Sequence, residues 1–322
     1  MSLLAKWLAS PPPDAAVEIS AGHVSAATMV ARGSGLALQS YAIEGLPPGA
    51  VVPTLTSQNI VDRAAVTGAI RTVLGRLGSR PARVALIIPD LAAKVSLVRF
   101  EQLPSKREDL DQLVRWQVRK SAPFPIEDAC VTYTPGTRDT SSGAEFVVAL
   151  ARRDVIEEYE SACGDAGVYA GLVDLTTFSV ANLFLASDSA PTGDWLLVHM
   201  RPDYTSIAIL RGQDVIFFRN RIEGDEEDPL ADLVHQTAMY YQDRLEGTGF
   251  SRVLLGGSGR LAFAVDLARK NLEERLGVAV EPIDPTRVAP LNDRITMTPD
   301  IMAALAPLAG MLARTHRSGV TA

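Results

Sequence analysis

Apolar residues recur along this chain with two different periods, and the two periods predict two kinds of element. Short apolar or alternating runs bounded by turn residues predict strands, whereas apolar residues three and four positions apart predict helices. Asp62 to Leu77 is such a helix, with Gly78 just past its end. Three successive strands are predicted from Ala15 and again from Trp195, about 180 residues later. Each set is followed by alternating helices and strands, which indicates two α/β lobes.

The segment from Ser105 to Pro125 has the most distinctive pattern in the chain. Ser105 and Glu108 have the spacing of a capping box, which predicts a helix start. Pro123-Phe124-Pro125 ends this helix, because proline lacks a backbone N–H and disfavours helical backbone at the preceding residue. A surface helix with a rigid exit is the simplest interpretation. The best predicted boundary between the lobes is the Ser-, Pro- and Gly-rich connector from Ser187 to Gly193.

Composition narrows the classes of function. The chain has 322 residues and a net charge of -7, so it lacks the clustered Lys and Arg of a nucleic-acid surface. The two cysteines, Cys130 and Cys163, are far apart, which favours reduced thiols over a disulfide. The four histidines have none of the spacings that metal sites use, so no metal is expected.

The apolar runs are too short to span a membrane. Ile301 to Ala313 covers 13 residues, whereas a bilayer span needs roughly 20. We therefore expect a cytoplasmic protein without a signal peptide. The apolar residues near the N-terminus have two open interpretations, contact with a membrane surface or packing on the protein itself; they are Leu3, Leu4, Trp7 and Leu8.

The order of elements in the middle of the chain resembles the family of type IV pilus assembly protein PilM. Strand Val84–Ile88 is followed by Pro89-Asp90, strand Lys94–Phe100, the capped helix and the sequence PFPIED. The resemblance covers roughly residues 14 to 316. It implies an α/β fold, the actin-like (ribonuclease H-like) two-lobe fold with an inserted small α+β subdomain. The implied parts are a first lobe (14–82, completed by about 169–190 and 300–316), the inserted subdomain (83–168) and a second lobe (191–299).

In the actin-like ATPases that this family resembles, nucleotide lies between the first hairpins of the two lobes. Glycine is needed where the backbone approaches phosphate, and aspartate where Mg²⁺ or water is held. In this chain Glu18 and Ser20 replace the aspartate and glycine of the first hairpin, and His199 and Arg201 replace those of the second. Competent ATP hydrolysis is therefore not expected, and no catalytic residue is assigned.

Weak binding of ATP with Mg²⁺ stays open, because the sequence Gly256-Gly257-Ser258-Gly259 matches the adenosine loop of the family. His23 and His199 are expected to line the cleft, with a catalytic dyad as the rival interpretation. The residues that a retained nucleotide site would use are Glu18, Gly22, Thr205, Gly256, Gly257 and Ser258.

The resemblance also implies a partner. PilM-like proteins bind the N-terminal cytoplasmic tail of the membrane protein PilN in a groove between the first lobe and the inserted subdomain. We therefore expect a scaffold of the pilus inner-membrane platform that reaches the membrane through this partner and contacts other platform or motor proteins. The residues predicted to contact the tail are Trp116, Pro123, Phe124 and Pro125. For both aromatic rings, packing in the subdomain's own core is the alternative.

Two other functions remain open from the sequence. One is a cytoplasmic component of a type II secretion system similar to GspL, although GspL-like chains continue into a transmembrane helix. The other is an active ATPase or sugar kinase of the same fold, against which the lost hairpin residues count.

Overall fold

A computed structural model describes residues 13, 15–32, 35–78, 80–139, 143–186, 193–222, 229–257, 262–287, 290 and 298–320. The apolar N-terminal residues, Ser258 and most of the predicted connector from Ser187 to Gly193 lie outside these ranges. No helix within them combines the length and apolar character that a bilayer crossing requires.

The strands and helices alternate in the order that the apolar pattern predicts. The strands are β1 (Ala15–Ile19), β2 (His23–Arg32), β3 (Gly35–Gly45), β4 (Arg83–Ile88), β5 (Ala93–Phe100), β6 (Ala129–Asp139), β7 (Gly143–Arg152), β8 (Tyr169–Leu175), β9 (Asp194–Met200), β10 (Tyr204–Arg211), β11 (Asp214–Ile222), β12 (Arg252–Gly257) and β13 (Val280–Pro282). The helices are α1 (Arg63–Arg76), α2 (Arg107–Arg119), α3 (Arg153–Asp165), α4 (Thr176–Leu185), α5 (Pro229–Arg244), α6 (Ala262–Leu276) and α7 (Pro299–Val320).

Two five-stranded sheets of the same design form two lobes. The first has the order β3-β2-β1-β4-β8 and the second β11-β10-β9-β12-β13. In each sheet an antiparallel meander of three strands continues into parallel strands. The two α/β lobes predicted from the repeated strand pattern are therefore confirmed.

The helices cover both faces of the sheets, and one apolar core is shared between the lobes. Helices α1 and α3 pack on one face of the first sheet, and α5 and α6 pack on the far face of the second. Between the lobes, α4 and α7 pack against residues of both sheets, including Leu197 of β9 and Ile87 of β4. Burial of this shared apolar surface holds the lobes together.

A separate three-stranded sheet of order β5-β7-β6 projects from the first lobe, with α2 packed on one of its faces. It runs from Ala93 to Arg152, inside the predicted range of 83–168. Strand β4 pairs with β1 and β8 in the first sheet, and α3 packs in the core of the first lobe. The domain limits that we propose for the insert are accordingly those of this sheet.

The predicted capping box does not form. Helix α2 begins at Arg107 with Lys106 at the N-cap position, and no side chain caps it. Ser105 therefore lies one residue outside the cap, beyond the place where its hydroxyl would satisfy the helix N-terminus. The predicted end of the helix before Pro123 agrees with the structure, in which α2 ends at Arg119.

Candidate functional site

Glu18 lies at the carboxyl end of β1, on the strand face that points toward the second lobe. Ala16 on the same face belongs to the core shared between the lobes, whereas Val17 and Ile19 point to the opposite face. Glu18 is fully buried and accepts a hydrogen bond from Ser25 Oγ at 3.3 Å. A carboxylate in this position needs a positive partner, because burial removes its hydration.

Arg201 of the second lobe supplies that partner. It follows β9 in the hairpin to β10, and its backbone N–H donates to the carbonyl of Tyr204 at 2.8 Å, which closes the turn. Its Nη2 lies 3.1 Å from Oε1 of Glu18, and 3% of Arg201 is exposed. The contact is an ion pair and not an aligned hydrogen bond, because Oε1 of Glu18 accepts none within the part of the chain that the structure describes.

The ion pair keeps both groups charged. Burial alone would raise the pKa of Glu18, but the charge of Arg201 and the contacts with His23 outweigh burial and lower that pKa. Burial alone would lower the pKa of Arg201, but Glu18 and the other acidic groups around it raise that pKa. The two lobes are thus joined at this point by opposite charges.

Asp90 forms a second contact between the lobes. It begins a short 3-10 turn after β4, where the chain leaves the first sheet, and it is fully buried. Its carboxylate accepts from the backbone N–H and the hydroxyl of Thr177 in the first lobe. Ser206 Oγ of the second lobe donates to the same carboxylate at 2.7 Å.

The main chain of Asp90 is also held from the second lobe. Its N–H donates to Tyr204 Oη at 3.2 Å, and Asn220 Nδ2 donates to its carbonyl at 3.3 Å. Burial raises the pKa of Asp90, and hydrogen bonds from Thr177 and Ser206 offset part of that rise.

The two cleft histidines have separate partners. His23 Nδ1 lies 3.1 Å from Ser20 Oγ within the first hairpin. His199 lies across β9–β10 from Ser206, and its Nδ1 lies 3.2 Å from Thr177 Oγ1. Burial, with help from the charge of Arg201, lowers the pKa of His199 to about 3, so this imidazole is neutral at physiological pH. The arrangement agrees with histidines that line the cleft.

The glycines of the predicted adenosine loop are packed tightly by the chain itself. A Cβ atom on Gly256 would lie 2.5 Å from Ile283 Cδ1, and one on Gly257 would lie 2.7 Å from Val265 Cγ2. A side chain at either position would therefore press against a neighbouring side chain of the protein itself. By contrast, a Cβ on Gly22 would meet nothing within 4 Å. Thr205 is buried in β10, where it pairs with Met200 of β9.

A second candidate site is an open cavity of about 800 Å³. The insert contributes one wall through β5, β6 and β7, and the first lobe contributes the opposite wall through β8 and α4. The second lobe reaches the cavity with Gln213, Asp214 and Val215 at the start of β11. We call this cavity the groove.

The groove has the form of a peptide site. Strands β8 and β6 are edge strands of their sheets, so each has an unpaired row of backbone groups. The floor from the insert is apolar and comes from alternate residues of β7, namely Val147, Ala149 and Ala151. Glu160, Asp174 and Asp214 add negative charge, and Asp174 is paired with Arg314. An extended apolar segment with positive charge matches these walls.

The residues predicted to contact a partner lie elsewhere on the insert. Trp116 is 60% exposed on α2, where Lys120 Nζ lies 5.7 Å from the centre of its ring. Phe124 is half-buried against the core beneath α2. That core uses Phe146, Val148 and Leu150 of β7, the face opposite the groove. Partner contact by Trp116, Pro123, Phe124 and Pro125 therefore stays a prediction.

The groove residues of β7 could have been found from the sequence. Residues 146 to 151 are all apolar, although a strand with one face exposed to solvent would alternate apolar with polar residues. A strand that is apolar on both faces indicates that each face is covered by something. Helix α2 covers one face, and the groove lies over the other.

One comparison with known proteins identifies the family of this chain, and the others show its fold. A sequence model of the family described as type IV pilus assembly protein PilM matches residues 16–229. Among solved structures, the PilM-PilN type IV pilus biogenesis complex is similar, with a TM-score of 0.76 and 19% identity over 95% of this chain and 99% of that chain.

Two further structures are more distant. The ethanolamine utilization protein EutJ from Carboxydothermus hydrogenoformans has a TM-score of 0.51 and 11% identity, over 95% of this chain and 91% of that one. The cytoplasmic domain of EpsL, from the type II secretion system of Vibrio cholerae, has a TM-score of 0.47 and 9% identity, over 94% of each chain. Together with the sheet order, the similarity to the PilM-PilN complex and to EutJ confirms the expected actin-like two-lobe fold.

Proposed function

Because this chain belongs to the family of type IV pilus assembly protein PilM, we propose that it is a cytoplasmic scaffold of the pilus inner-membrane platform. It binds the N-terminal cytoplasmic tail of a PilN-like membrane protein, and through that tail it associates with the membrane and with other platform or motor proteins. The groove is the observation that carries this proposal. The solved relative, described as a complex of PilM with PilN, supports the choice of partner.

The chemistry of the groove suits the tail of a membrane protein. Cytoplasmic segments next to a membrane span are enriched in Lys and Arg. The groove carries Glu160 and Asp214 in addition to the Asp174–Arg314 pair. An extended tail can therefore pair its backbone with β8 or β6, place apolar side chains on the floor, and place a cation near these carboxylates.

The proposed scaffold does not hydrolyse ATP. Nucleotide chemistry would need a carboxylate free to hold Mg²⁺ or water, and Glu18 is instead paired with Arg201 inside the closed cleft. The side chains of Ile283 and Val265 also fill the space beside Gly256 and Gly257. These contacts support a structural role for the cleft.

Binding of the tail can be tested with one variant in the groove and one matched control. Val147→Lys places a cation on the groove floor, whereas Val61→Lys makes the same change at a site that is 65% exposed and outside the groove. The probe is a synthetic peptide with the N-terminal sequence of the PilN-like protein of the same organism, measured by calorimetry.

We expect Val147→Lys to weaken peptide binding at least about tenfold, since it buries a repelled charge where the apolar side chains of the peptide must pack. Val61→Lys should bind the peptide like the wild-type chain. Equal affinities for both folded variants would show that the tail binds elsewhere.

A further inference from the structure

Two sets of contacts join the lobes at the cleft, and we call them together the interlobe clamp. One is the ion pair of Glu18 with Arg201. The other is Asp90 with Ser206 and Tyr204. Since Glu18 and Asp90 lie on the first-lobe side and their partners lie in the second lobe, both contacts are broken whenever the cleft opens.

The clamp offsets the charge of Glu18 without a ligand. In a cleft that waits for nucleotide, the polar groups of each lobe face water until the ligand and its metal connect them. Here the polar groups face one another, with Glu18 fully buried and only 3% of Arg201 exposed. Buried charges of this kind are tolerated when each offsets the other. The charge of Glu18 is therefore offset by the chain itself.

A nucleotide with Mg²⁺ does not fit this arrangement. To reach Glu18, the metal would have to displace Arg201 from the carboxylate. The sides of Gly256 and Gly257 on which a Cβ would lie are occupied by Ile283 and Val265. The residues of the cleft thus disagree with the cofactor that the actin-like fold implies.

The clamp also touches the part of the chain that positions the groove. Asp90 lies between β4 of the first lobe and β5 of the insert, at the point where the chain enters the insert. The groove takes its walls from the first lobe, the insert and residues 213–215 of the second lobe. Contacts that fix Asp90 against the second lobe therefore fix the distance between these walls.

We propose that the interlobe clamp takes the place of a bound nucleotide as the polar connection between the lobes, and that it thereby holds the groove at a fixed width. The effect on partner binding rests on the proposed function, whereas the effect on lobe closure does not. Arg201 is in this sense a positioning residue for the groove, although it lies outside it.

Lobe closure can be measured directly in the full-length chain. Spin labels at Val61→Cys in the first lobe and Leu267→Cys in the second lobe report the interlobe distance, because both positions are exposed. Cys130→Ser removes the half-buried native thiol, and Cys163 is buried. The distance is recorded for the wild-type sequence with and without Mg-ATP, and for Arg201→Met. Peptide affinity is measured separately on unlabelled proteins.

We expect one narrow distance in the wild-type sequence, unchanged by Mg-ATP. Arg201→Met should lengthen or broaden the distance and weaken the tail peptide about tenfold, equivalent to about 1.4 kcal/mol. The matched control is Arg76→Met, which breaks an Arg–Glu pair with Glu44 inside the first lobe. This control should keep the wild-type distance and affinity even if its thermal stability falls.

Each other outcome overturns a defined part of the proposal. An unchanged distance in folded Arg201→Met would remove the clamp, and a longer distance with unchanged affinity would remove its effect on the groove. Shortening of the wild-type distance by Mg-ATP would show that nucleotide, and not the clamp, closes the cleft.

If the wild-type chain fails to bind the peptide, the proposed partner is wrong, while the distances still test the clamp. The double variant Glu18→Gln/Arg201→Met serves if the single one does not fold, since it leaves no buried charge unpaired.

Discussion

The interlobe cleft and the groove lie between neighbouring parts of the same molecule, yet they are built in opposite ways. The cleft is closed and polar, and Glu18, Asp90 and Arg201 have partners from the chain itself. The groove is open, with a volume of about 800 Å³ and an apolar floor. Opposite charges that offset one another within the chain need no ligand, whereas exposed apolar surface beside free strand edges is a common feature of binding sites.

This difference shows that the lobes can be held together without a binding site between them. The shared core of α4 and α7 joins the two lobes. We propose that the partner binds where the chain leaves apolar surface uncovered. In this chain that surface lies between the first lobe and the insert, away from the two hairpins that bind nucleotide in actin-like ATPases.

The largest effect is expected from breaking the cleft. Arg201→Met leaves the buried carboxylate of Glu18 without its cation, which typically costs about 3–5 kcal/mol of unfolding free energy. Chemical denaturation of the wild type and the variant measures this loss. Arg76→Met is the control, because its pair with Glu44 is exposed and should contribute about 0–1 kcal/mol. Equal losses for the two variants would mean that Glu18 is hydrated and that the cleft is open in solution.

The cleft should also make the protein sensitive to acid. Burial lowers the pKa of His199 from 6.5 to about 3 in the folded chain. The unfolded chain therefore takes up a proton on this imidazole below about pH 6.5, which the folded chain does not, and falling pH favours unfolding. His199→Gln should flatten the pH dependence of unfolding free energy across this window by up to about 1.4 kcal/mol per pH unit.

Denaturation at several pH values between about 7 and 4 measures this slope. The carboxylate of Glu18 contributes in the same direction, because its pKa is lowered in the folded chain. Its contribution is present above the unfolded pKa and is lost as pH falls through the folded pKa, in both proteins alike. A slope for His199→Gln equal to that of the wild type would show that His199 is exposed to solvent.

The sequence was sufficient for the lobes but not for the sites. Alternating apolar residues determine which strand faces are buried, so the two meanders could be predicted from local pattern. The clamp could not be predicted, because Glu18 and Arg201 are 183 positions apart and only the fold brings them together. Both residues depart from the nucleotide motifs, but that departure does not show which residue each of them contacts in the folded chain.

The two faces of the insert also show that a local sequence pattern does not identify a binding site. Aromatic residues near a rigid exit drew attention to Trp116 and Phe124, since such residues often dominate peptide binding. The strand face that lines the groove instead uses small and branched residues such as Val147 and Ala149. Which face of an apolar strand stays open depends on the position of β8 and β11, and no local pattern carries that information.

Phe124 and Trp116 allow the two faces to be compared by experiment. Phe124→Ala should lower the free energy of unfolding by about 1–3 kcal/mol, less than a fully buried phenylalanine, because its ring is half-buried against the insert core. Trp116→Ala should change it by no more than about 0.5 kcal/mol, since Trp116 is 60% exposed. Binding in the groove predicts unchanged tail-peptide affinity per folded molecule for both variants, whereas partner contact by these rings predicts weaker binding. Weaker binding by Trp116→Ala at unchanged stability would place the partner on α2.

The last prediction is that Mg-ATP does not change the stability of the chain. This test distinguishes the cleft from the groove most directly. A ligand that binds only the folded chain raises its stability by about 2.7 kcal/mol at a hundred times its dissociation constant. The tail peptide should therefore raise the melting temperature by several degrees, whereas Mg-ATP should leave it unchanged and release no phosphate above a buffer control.

The variant Gly22→Ala complements this test, because a Cβ there meets nothing within 4 Å and the variant should fold normally. At a working first hairpin the same methyl group would block the approach of phosphate. Phosphate release by the purified chain that disappears in Gly22→Ala would therefore mean that the cleft opens and turns over nucleotide, and the contrast between a closed cleft and an open groove would fail.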